Sequence, residues 1–163
     1  MTDAFNQRPY KPASASRAEQ VQIVMPQHVN AAYCLFGGQL MQWVDIVAGI
    51  AARRHCGCET RTVAVDHMEF LAPAHINDTV DVIGRVTWVG NTSMEICVET
   101  YAEKMENPQN RTLINRAYLT MVAVDQAGNP TQVPGLICET EAEKADQKAG
   151  ERRASQRKNP SPD

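Results

Sequence analysis

Asp45 is the first residue whose type and surroundings could support chemistry. It is the only charged residue between Gly37 and Ala52, in a stretch that is otherwise rich in apolar side chains. It lies too far from Gly37 to cap a helix that begins there, and burying an ionised carboxylate without partners costs several kcal/mol. Two interpretations follow: a structural aspartate hydrogen-bonded to backbone or to a subunit partner, or a catalytic carboxylate acting as general base or nucleophile.

The loop upstream of Asp45 supplies further groups suited to acyl transfer. Asn30 offers a side-chain amide, and Gly37 and Gly38 open a predicted helix whose first-turn N–H groups lack internal partners. Such donors can stabilise the negative charge that develops on an acyl carbonyl oxygen. These residues together are consistent with an acyl-transfer site, although a pair of glycines also serves an ordinary turn.

The elements around these residues predict an α+β fold. The helix that carries Asp45 is expected to end before Gly57, and because its apolar residues occur on every side it is expected to be buried all round. Alternating or β-branched runs predict strands at 21–25, 62–70, 79–89, 93–99 and 113–124. Hairpin turns between them favour an antiparallel sheet, curved around one long buried helix.

Length, charge and hydropathy limit the function classes. The 163 residues suit one compact domain, and a net charge of −3 argues against binding nucleic acid by general attraction to phosphates. The chain has no apolar stretch long enough to cross a bilayer and no apolar core of a secretory signal, which predicts a cytoplasmic protein. Composition predicts a flexible segment at 1–18, a folded domain at 19–138 and a charged tail at 139–163, mobile or a frayed surface helix.

The cysteines are expected to be reduced thiols. There are five of them in a chain without an export signal, which does not favour a disulfide framework. Cys56 and Cys58 beside His55 invite a metal interpretation. The spacing lacks the two-residue gap of a zinc knuckle and no second pair follows, so no metal is expected.

Several blocks of sequence, in order, resemble the hot-dog fold acyl-CoA thioesterases. HVNAAYCLFGGQLMQWVD (28–45) carries the family's His-x-Asn, its Leu-Phe-Gly-Gly and the Asp of its apolar helix. Further matches are VAVDHMEFLAPA (63–74), VGNTSME (89–95), TMVAVDQAGNP (120–130) and VPGL (133–136). The resemblance covers nearly all of the body and neither tail. It departs at Tyr33, where the family usually has Gly, and at Ile46, where many members have Glu.

This resemblance implies a hot-dog domain that hydrolyses acyl-CoA thioesters to free acid and CoA. It makes Asp45 the general base or nucleophile, gives Asn30 of the partner subunit the positioning of the carbonyl or water, and gives the Gly38 N–H the oxyanion role. The implied active unit is a homodimer, assembled further as a trimer of dimers. No cofactor is implied, since coenzyme A is part of the substrate and product.

The resemblance also points to the CoA contacts, in the turn formed by Gly90, Asn91, Thr92 and Ser93. CoA carries several phosphate charges, for which the candidate partners are Arg53, Arg54, Arg61 and Arg85, although each is also explained as a solvated surface arginine. Two other functions on this fold are a non-catalytic acyl-CoA sensor and a dehydratase, which would have to recruit His28 or His55. Retention of both Asn30 and Asp45 favours hydrolysis over either.

Overall fold

The chain forms one main antiparallel sheet, one long helix against it and a second helix near its end in a computed structural model that describes residues 8–158. The elements are β1 (Tyr10–Pro12), β2 (Ala18–Ile23), α1 (Gly37–Cys56), β3 (Glu59–Phe70), β4 (Thr79–Val89), β5 (Ser93–Lys104), β6 (Asn107–Val124), β7 (Gly135–Ile137) and α2 (Glu141–Lys158). The main sheet has the order β2-β4-β5-β6-β3, and every neighbouring pair is antiparallel. The predicted α+β class and antiparallel sheet are therefore confirmed.

Helix α1 contacts all five strands of this sheet. Gly57 ends the helix with a left-handed φ of 70°, and its N–H donates to the Arg53 carbonyl at 2.8 Å, as predicted for the cap. The face of α1 that is buried carries Leu40, Trp43, Val44, Val47, Ala48, Ala51 and Ala52. Asp45 and Gly38 are thus mounted on a rigid element that the sheet holds along its length.

The prediction that α1 is buried on every side is wrong for the single chain. Met41, Ile46 and Ile50 are 46%, 45% and 38% exposed. Asp45 lies on the same exposed side, so the expected burial of its carboxylate is also absent from the single chain. The sheet covers only one side of a helix, and the remaining apolar residues form a surface that is left open.

Residues assigned from the sequence to a flexible N-terminal segment make backbone pairs with a distant part of the chain. Strand β1 pairs in parallel with β7, and the Gly135 N–H donates to the Pro9 carbonyl at 2.7 Å. The Arg8 guanidinium donates to the carbonyls of Val133 and Gly90 at 2.7 and 2.5 Å. Backbone pairing of this kind cannot be predicted from amino-acid composition. The domain boundary at residue 18 stays a prediction.

Helix α2 occupies the region for which the sequence predicted a mobile tail or frayed helix. Gly150 and Ala154 are its buried residues. The carboxylate of Glu95, on β5 and 0% exposed, accepts hydrogen bonds from Arg153 at 3.0 and 2.8 Å and from Arg157 at 3.3 Å. Buried ion pairs and small residues, rather than apolar side chains, dock this helix.

Neither helix within residues 8–158 is long and apolar enough to cross a membrane. The cytoplasmic location stays a prediction.

Candidate active site

Asp45 faces a strand rather than standing alone. The Thr62 hydroxyl, on β3, donates a hydrogen bond to Asp45 Oδ1 at 2.6 Å. Hydrogen bonds to an ionised carboxylate are short and strong, so this contact fixes the side chain and leaves Oδ2 open to another partner. Sequence reasoning missed Thr62, because a threonine in a predicted strand has no feature that distinguishes it.

The N-terminus of α1 presents backbone donors about two turns before Asp45, roughly 10 Å away along the helix axis. The first helical hydrogen bond joins the Leu40 N–H to the Phe36 carbonyl at 3.1 Å, so the amides of Gly37, Gly38 and Gln39 precede the helical ladder. A Cβ on Gly38 would lie 2.5 Å from the Phe36 ring, closer than side chains pack. Glycine at this position therefore brings an unpartnered amide to the surface beside an aromatic ring.

Gly38 and Asp45 share one side of the helix. They are seven residues apart, close to two turns, and both are exposed in the single chain. Their neighbours on this side, Met41 and Ile46, are apolar. A carboxylate and a set of backbone donors thus lie on one apolar surface, an arrangement that suits attack on a carbonyl.

Asn30 lies in the loop before α1, apart from Asp45 within one chain. Its side-chain oxygen accepts hydrogen bonds from the N–H groups of Ala32 and Cys34 at 2.9 and 3.3 Å. Within residues 8–158 its amide nitrogen makes no hydrogen bond, and no hydrogen bond joins it to Asp45 or Thr62. The loop therefore holds Asn30 with its NH₂ group pointing away from the backbone it caps.

The same loop accommodates Tyr33 in an unusual backbone conformation. Its φ of 59° lies in the left-handed region that favours glycine, and its side chain is 70% exposed. At this departure from the family's usual Gly, the structure thus shows a strained backbone with the ring outside the fold of the single chain.

An apolar cavity of about 340 Å³ lies near the start of α1. A Cβ on Gly37 would meet the Phe70 ring, part of the cavity wall, at 3.6 Å. The other walls include Leu35, Leu40, Leu71, Ala72 and Ile114. A hydrocarbon chain is the ligand chemistry that such walls favour.

The turn predicted to contact CoA is the β4–β5 hairpin. The Gly90 N–H donates to the Ser93 carbonyl at 2.8 Å, and the carbonyls of Asn91 and Thr92 accept from Val133 and Ala123 at 2.9 and 3.0 Å. Arg8 also holds this turn through the Gly90 carbonyl. Hydrogen bonds within the protein therefore hold this turn in place without a ligand.

Two of the four arginines considered as partners of CoA phosphates are already paired with carboxylates. Arg53 contacts both carboxylate oxygens of Glu59 at 2.5 and 2.6 Å. Arg85 contacts Glu99 at 3.0 Å and Asp146 at 2.9 Å, so both would have to exchange partners to bind phosphate. Arg61 is exposed at the start of β3, and among residues 8–158 it has no carboxylate within salt-bridge distance.

Within residues 8–158, the side chains of Arg54 and His55 hydrogen-bond only to backbone carbonyls. Arg54 donates to the Arg17 carbonyl. His55 is 0% exposed, its Nε2 lies 2.9 Å from the Pro134 carbonyl, and burial lowers its pKa from the ordinary value. In the part of the chain that the structure describes, no three His, Cys, Asp or Glu side chains are grouped to hold a metal ion.

Comparisons with known proteins agree with this architecture. The family model of the thioesterase superfamily matches residues 34–108. The uncharacterised acyl-CoA thioester hydrolase YkhA of Bacillus subtilis is 39% identical over 144 residues, 88% of this chain and 83% of that protein. The mouse cytosolic acyl coenzyme A thioester hydrolase is 36% identical over 132 residues, 80% of this chain, which spans only 35% of that longer protein.

Solved structures are similar over most of the chain. The acyl-CoA hydrolase of Staphylococcus aureus, in complex with butyryl coenzyme A, coenzyme A and coenzyme A disulfide, superposes with a TM-score of 0.87 at 33% identity, covering 92% of this chain and 91% of that one. An apo-hexameric acyl-CoA thioesterase gives a TM-score of 0.88 at 32% identity, covering 92% and 96%. The sheet around α1 is thus the hot-dog fold. By sequence and structure, the chain belongs to the thioesterase superfamily, among its acyl-CoA thioester hydrolases.

Proposed function

We propose that this protein hydrolyses the thioester of an acyl-CoA to a free acid and CoA. The observation that carries the proposal is the 2.6 Å hydrogen bond from Thr62 to Asp45, on the side of α1 that also presents the Gly38 N–H. A fixed carboxylate and unpartnered backbone donors on one side of the helix are the two kinds of group that attack on a thioester carbonyl requires.

In this mechanism the Gly38 N–H donates to the carbonyl oxygen as negative charge develops on it. Asp45 Oδ2 takes a proton from water, whose oxygen attacks the carbonyl carbon, and the tetrahedral intermediate expels CoA as its thiolate. That thiolate then takes up the proton. Alternatively Asp45 attacks the carbon itself and displaces CoA as its thiolate, giving an acid anhydride that water hydrolyses to the free acid and the Asp45 carboxylate. Neither route requires a metal ion or a separate cofactor.

The proposed active unit is a homodimer in which Asn30 reaches the site of the partner chain. Two features of the single chain support it: the amide nitrogen of Asn30 makes no hydrogen bond within residues 8–158, and the side of α1 that carries Asp45 is apolar. Its apolar residues on α1 are Met41, Ile46 and Ile50, and Val63 and Val65 of the neighbouring β3 are exposed as well. Hexameric relatives, among them a thioesterase of Yersinia pestis, support a trimer of such dimers.

Related structures support the residue assignment. The S. aureus acyl-CoA hydrolase has also been solved with an asparagine, an aspartate and a threonine replaced by alanine, at positions numbered two below Asn30, Asp45 and Thr62. A constant offset is what a common site on a common fold would give.

The two ends of the substrate have proposed positions as well. The cavity beside Gly37 and Phe70 would take the acyl chain, since its walls are apolar. The turn Gly90, Asn91, Thr92 and Ser93 stays the predicted CoA contact. Arg61 suits a CoA phosphate better than Arg53 or Arg85, because no carboxylate competes for it in the described chain.

Release of free thiol from a panel of acyl-CoAs, from acetyl to palmitoyl, tests the proposal. Asp45→Asn is expected to lower kcat by at least about 100-fold. Thr62→Val is expected to lower it roughly 10- to 150-fold, since a hydrogen bond to a charged group contributes about 1.5–3 kcal/mol. Glu151→Gln, on the exposed side of α2, is the matched control and should behave as wild type. A chelator should leave the rate unchanged.

Two outcomes would contradict the proposal. If Asp45→Asn hydrolyses like wild type, the carboxylate is not the reacting group. If wild type binds acyl-CoA but releases no thiol from any member of the panel, the non-catalytic sensor is correct instead.

Mixing two inactive variants tests the shared site. Random pairing of Asn30→Ala with Asp45→Ala chains makes half of the dimers mixed, each with one intact site of two. Recovery of about a quarter of wild-type activity is therefore expected. No recovery would place both groups in one subunit.

A further inference from the structure

The proposed hydrolysis leaves unused a pair of thiols at the turn between α1 and β3. Cys56 is the last residue of the helix, Gly57 is its cap, and Cys58 directly precedes β3. The two sulfur atoms lie 3.2 Å apart, and both side chains are half-buried.

The backbone of the turn brings these thiols together. Gly57 takes its left-handed φ of 70° between them, which reverses the chain within one residue. The Cys58 thiol donates to Cys56 Sγ, and the Cys56 thiol donates to the Cys58 carbonyl at 3.4 Å. A disulfide bond needs about 2.05 Å between sulfurs. The sulfurs would therefore have to approach by only about 1.2 Å, within reach of side-chain rotation in an exposed turn.

A cavity gives small molecules access to one of the two thiols. It has a volume of about 740 Å³, and Cys58 forms part of its wall together with Arg53, Glu59, Val124 and Thr131. Cys56 is not part of that wall, and burial raises its pKa to about 11. The pair is thus asymmetric, since Cys58 lines this cavity and Cys56 does not.

We propose that Cys56 and Cys58 form a thiol–disulfide exchange site for low-molecular-weight disulfides. The Cys58 thiolate attacks one sulfur of the small disulfide, forming a mixed disulfide and releasing the first small thiolate. The Cys56 thiolate then attacks the Cys58 sulfur, forming the Cys56–Cys58 bond and releasing the second. The two cysteine protons pass to the two released thiolates. Two electrons move from the pair to the small disulfide, and the reverse sequence restores the dithiol.

The position of this turn connects it with the proposed active site. It joins the helix that carries Asp45 to the strand that carries Thr62, four residues beyond Cys58. If the chain hydrolyses acyl-CoA as proposed, its product is itself a small thiol. The exchange chemistry stands independently of that reaction and needs no acyl-CoA to be observed.

Equilibration of the reduced full-length protein with glutathione and glutathione disulfide tests the site. After acid quenching and alkylation, intact mass and peptide mapping should show a species lighter by two hydrogens, with its disulfide between Cys56 and Cys58. The oxidised fraction should rise with the disulfide-to-thiol ratio and return to zero with excess glutathione. Cys56→Ser should stop at a glutathione adduct on Cys58, and Cys58→Ser should form neither product at this turn.

Cys138→Ser is the matched control, because Cys138 is also half-buried but lies in another part of the fold. It should oxidise at the turn like wild type. The proposal fails if glutathione adducts accumulate on Cys34 or Cys138 while Cys56 and Cys58 remain alkylatable thiols. If a serine variant does not fold, peptide mapping of the oxidised wild-type protein alone shows whether the disulfide joins Cys56 and Cys58. Thiol release from acyl-CoA is not part of the readout, so failure of the hydrolysis proposal is seen separately.

Discussion

Arg153→Met removes the principal counter-charge of a buried carboxylate. Glu95 is 0% exposed, and Arg153 holds both of its oxygens, at 3.0 and 2.8 Å. Burial alone would raise the pKa of Glu95, but hydrogen bonds from Arg153 and Thr87 outweigh it and lower that pKa below its ordinary value. Breaking one partner of a buried pair costs about 3–5 kcal/mol. Since Arg157 remains at 3.3 Å, we expect a loss of about 2–3 kcal/mol.

Thermal and urea unfolding of the full chain measure this loss. A domain of this size loses about 2–4 °C in Tm per kcal/mol, so the variant should melt roughly 4–12 °C lower. Arg152→Met, one residue away and exposed, is the matched control and should change stability by less than about 0.5 kcal/mol. The double variant Glu95→Gln/Arg153→Met should lose less than Arg153→Met alone. Equal stability of Arg152→Met and Arg153→Met would refute the idea that ion pairs dock α2.

Two further predictions concern a buried imidazole and a strained backbone. Burial lowers the pKa of His55 in the folded chain from its ordinary 6.5; its stabilising contribution is therefore complete above that value and is lost as pH falls toward the lowered pKa. The free energy of unfolding, measured with urea at about pH 8 and about pH 5.5, should fall less between the two pH values in His55→Gln than in wild type. An equal fall in both proteins would contradict this prediction. Tyr33→Gly should stabilise the chain by up to about 1 kcal/mol, because its φ of 59° is a conformation that favours glycine. The control Ala32→Gly should destabilise the chain. A fall in Tm for Tyr33→Gly would mean that the tyrosine ring makes a stabilising contact.

The sequence predicted those elements whose signal is local. Alternation of apolar and polar residues predicted β4 with the bounds that the structure has, and Gly57 predicted the end of α1. Strand β6 begins at Asn107, earlier than expected, because its first residues are polar and are held only by pairing with β5. For 139–163 the sequence left open a mobile tail or a frayed surface helix, and the docking of α2 could not be predicted for a related reason. Its docking depends on Glu95, which in the sequence is indistinguishable from an exposed glutamate.

The residues of the candidate site could be predicted from the sequence to the same extent as the elements of the fold. Asp45, Asn30 and Gly38 stand out because a lone acid, an amide and a glycine are unusual where they occur. Their roles remain predictions. Thr62 and Arg8 did not stand out, since a strand hydroxyl and an arginine in a proline-rich segment gain meaning only from what they contact. The exposed side of α1 could not be foreseen either, because an apolar pattern does not reveal which surface covers it.

The pairing of Glu95 with Arg153 has a consequence for how the protein is made. The two residues are separated by 58 positions, and the ribosome adds the arginine long after the sheet strand that needs it. A nascent chain that stops short of Arg153 therefore carries Glu95 without its main counter-charge. The sheet can be expected to reach its full resistance to unfolding only when that late segment has emerged and folded back.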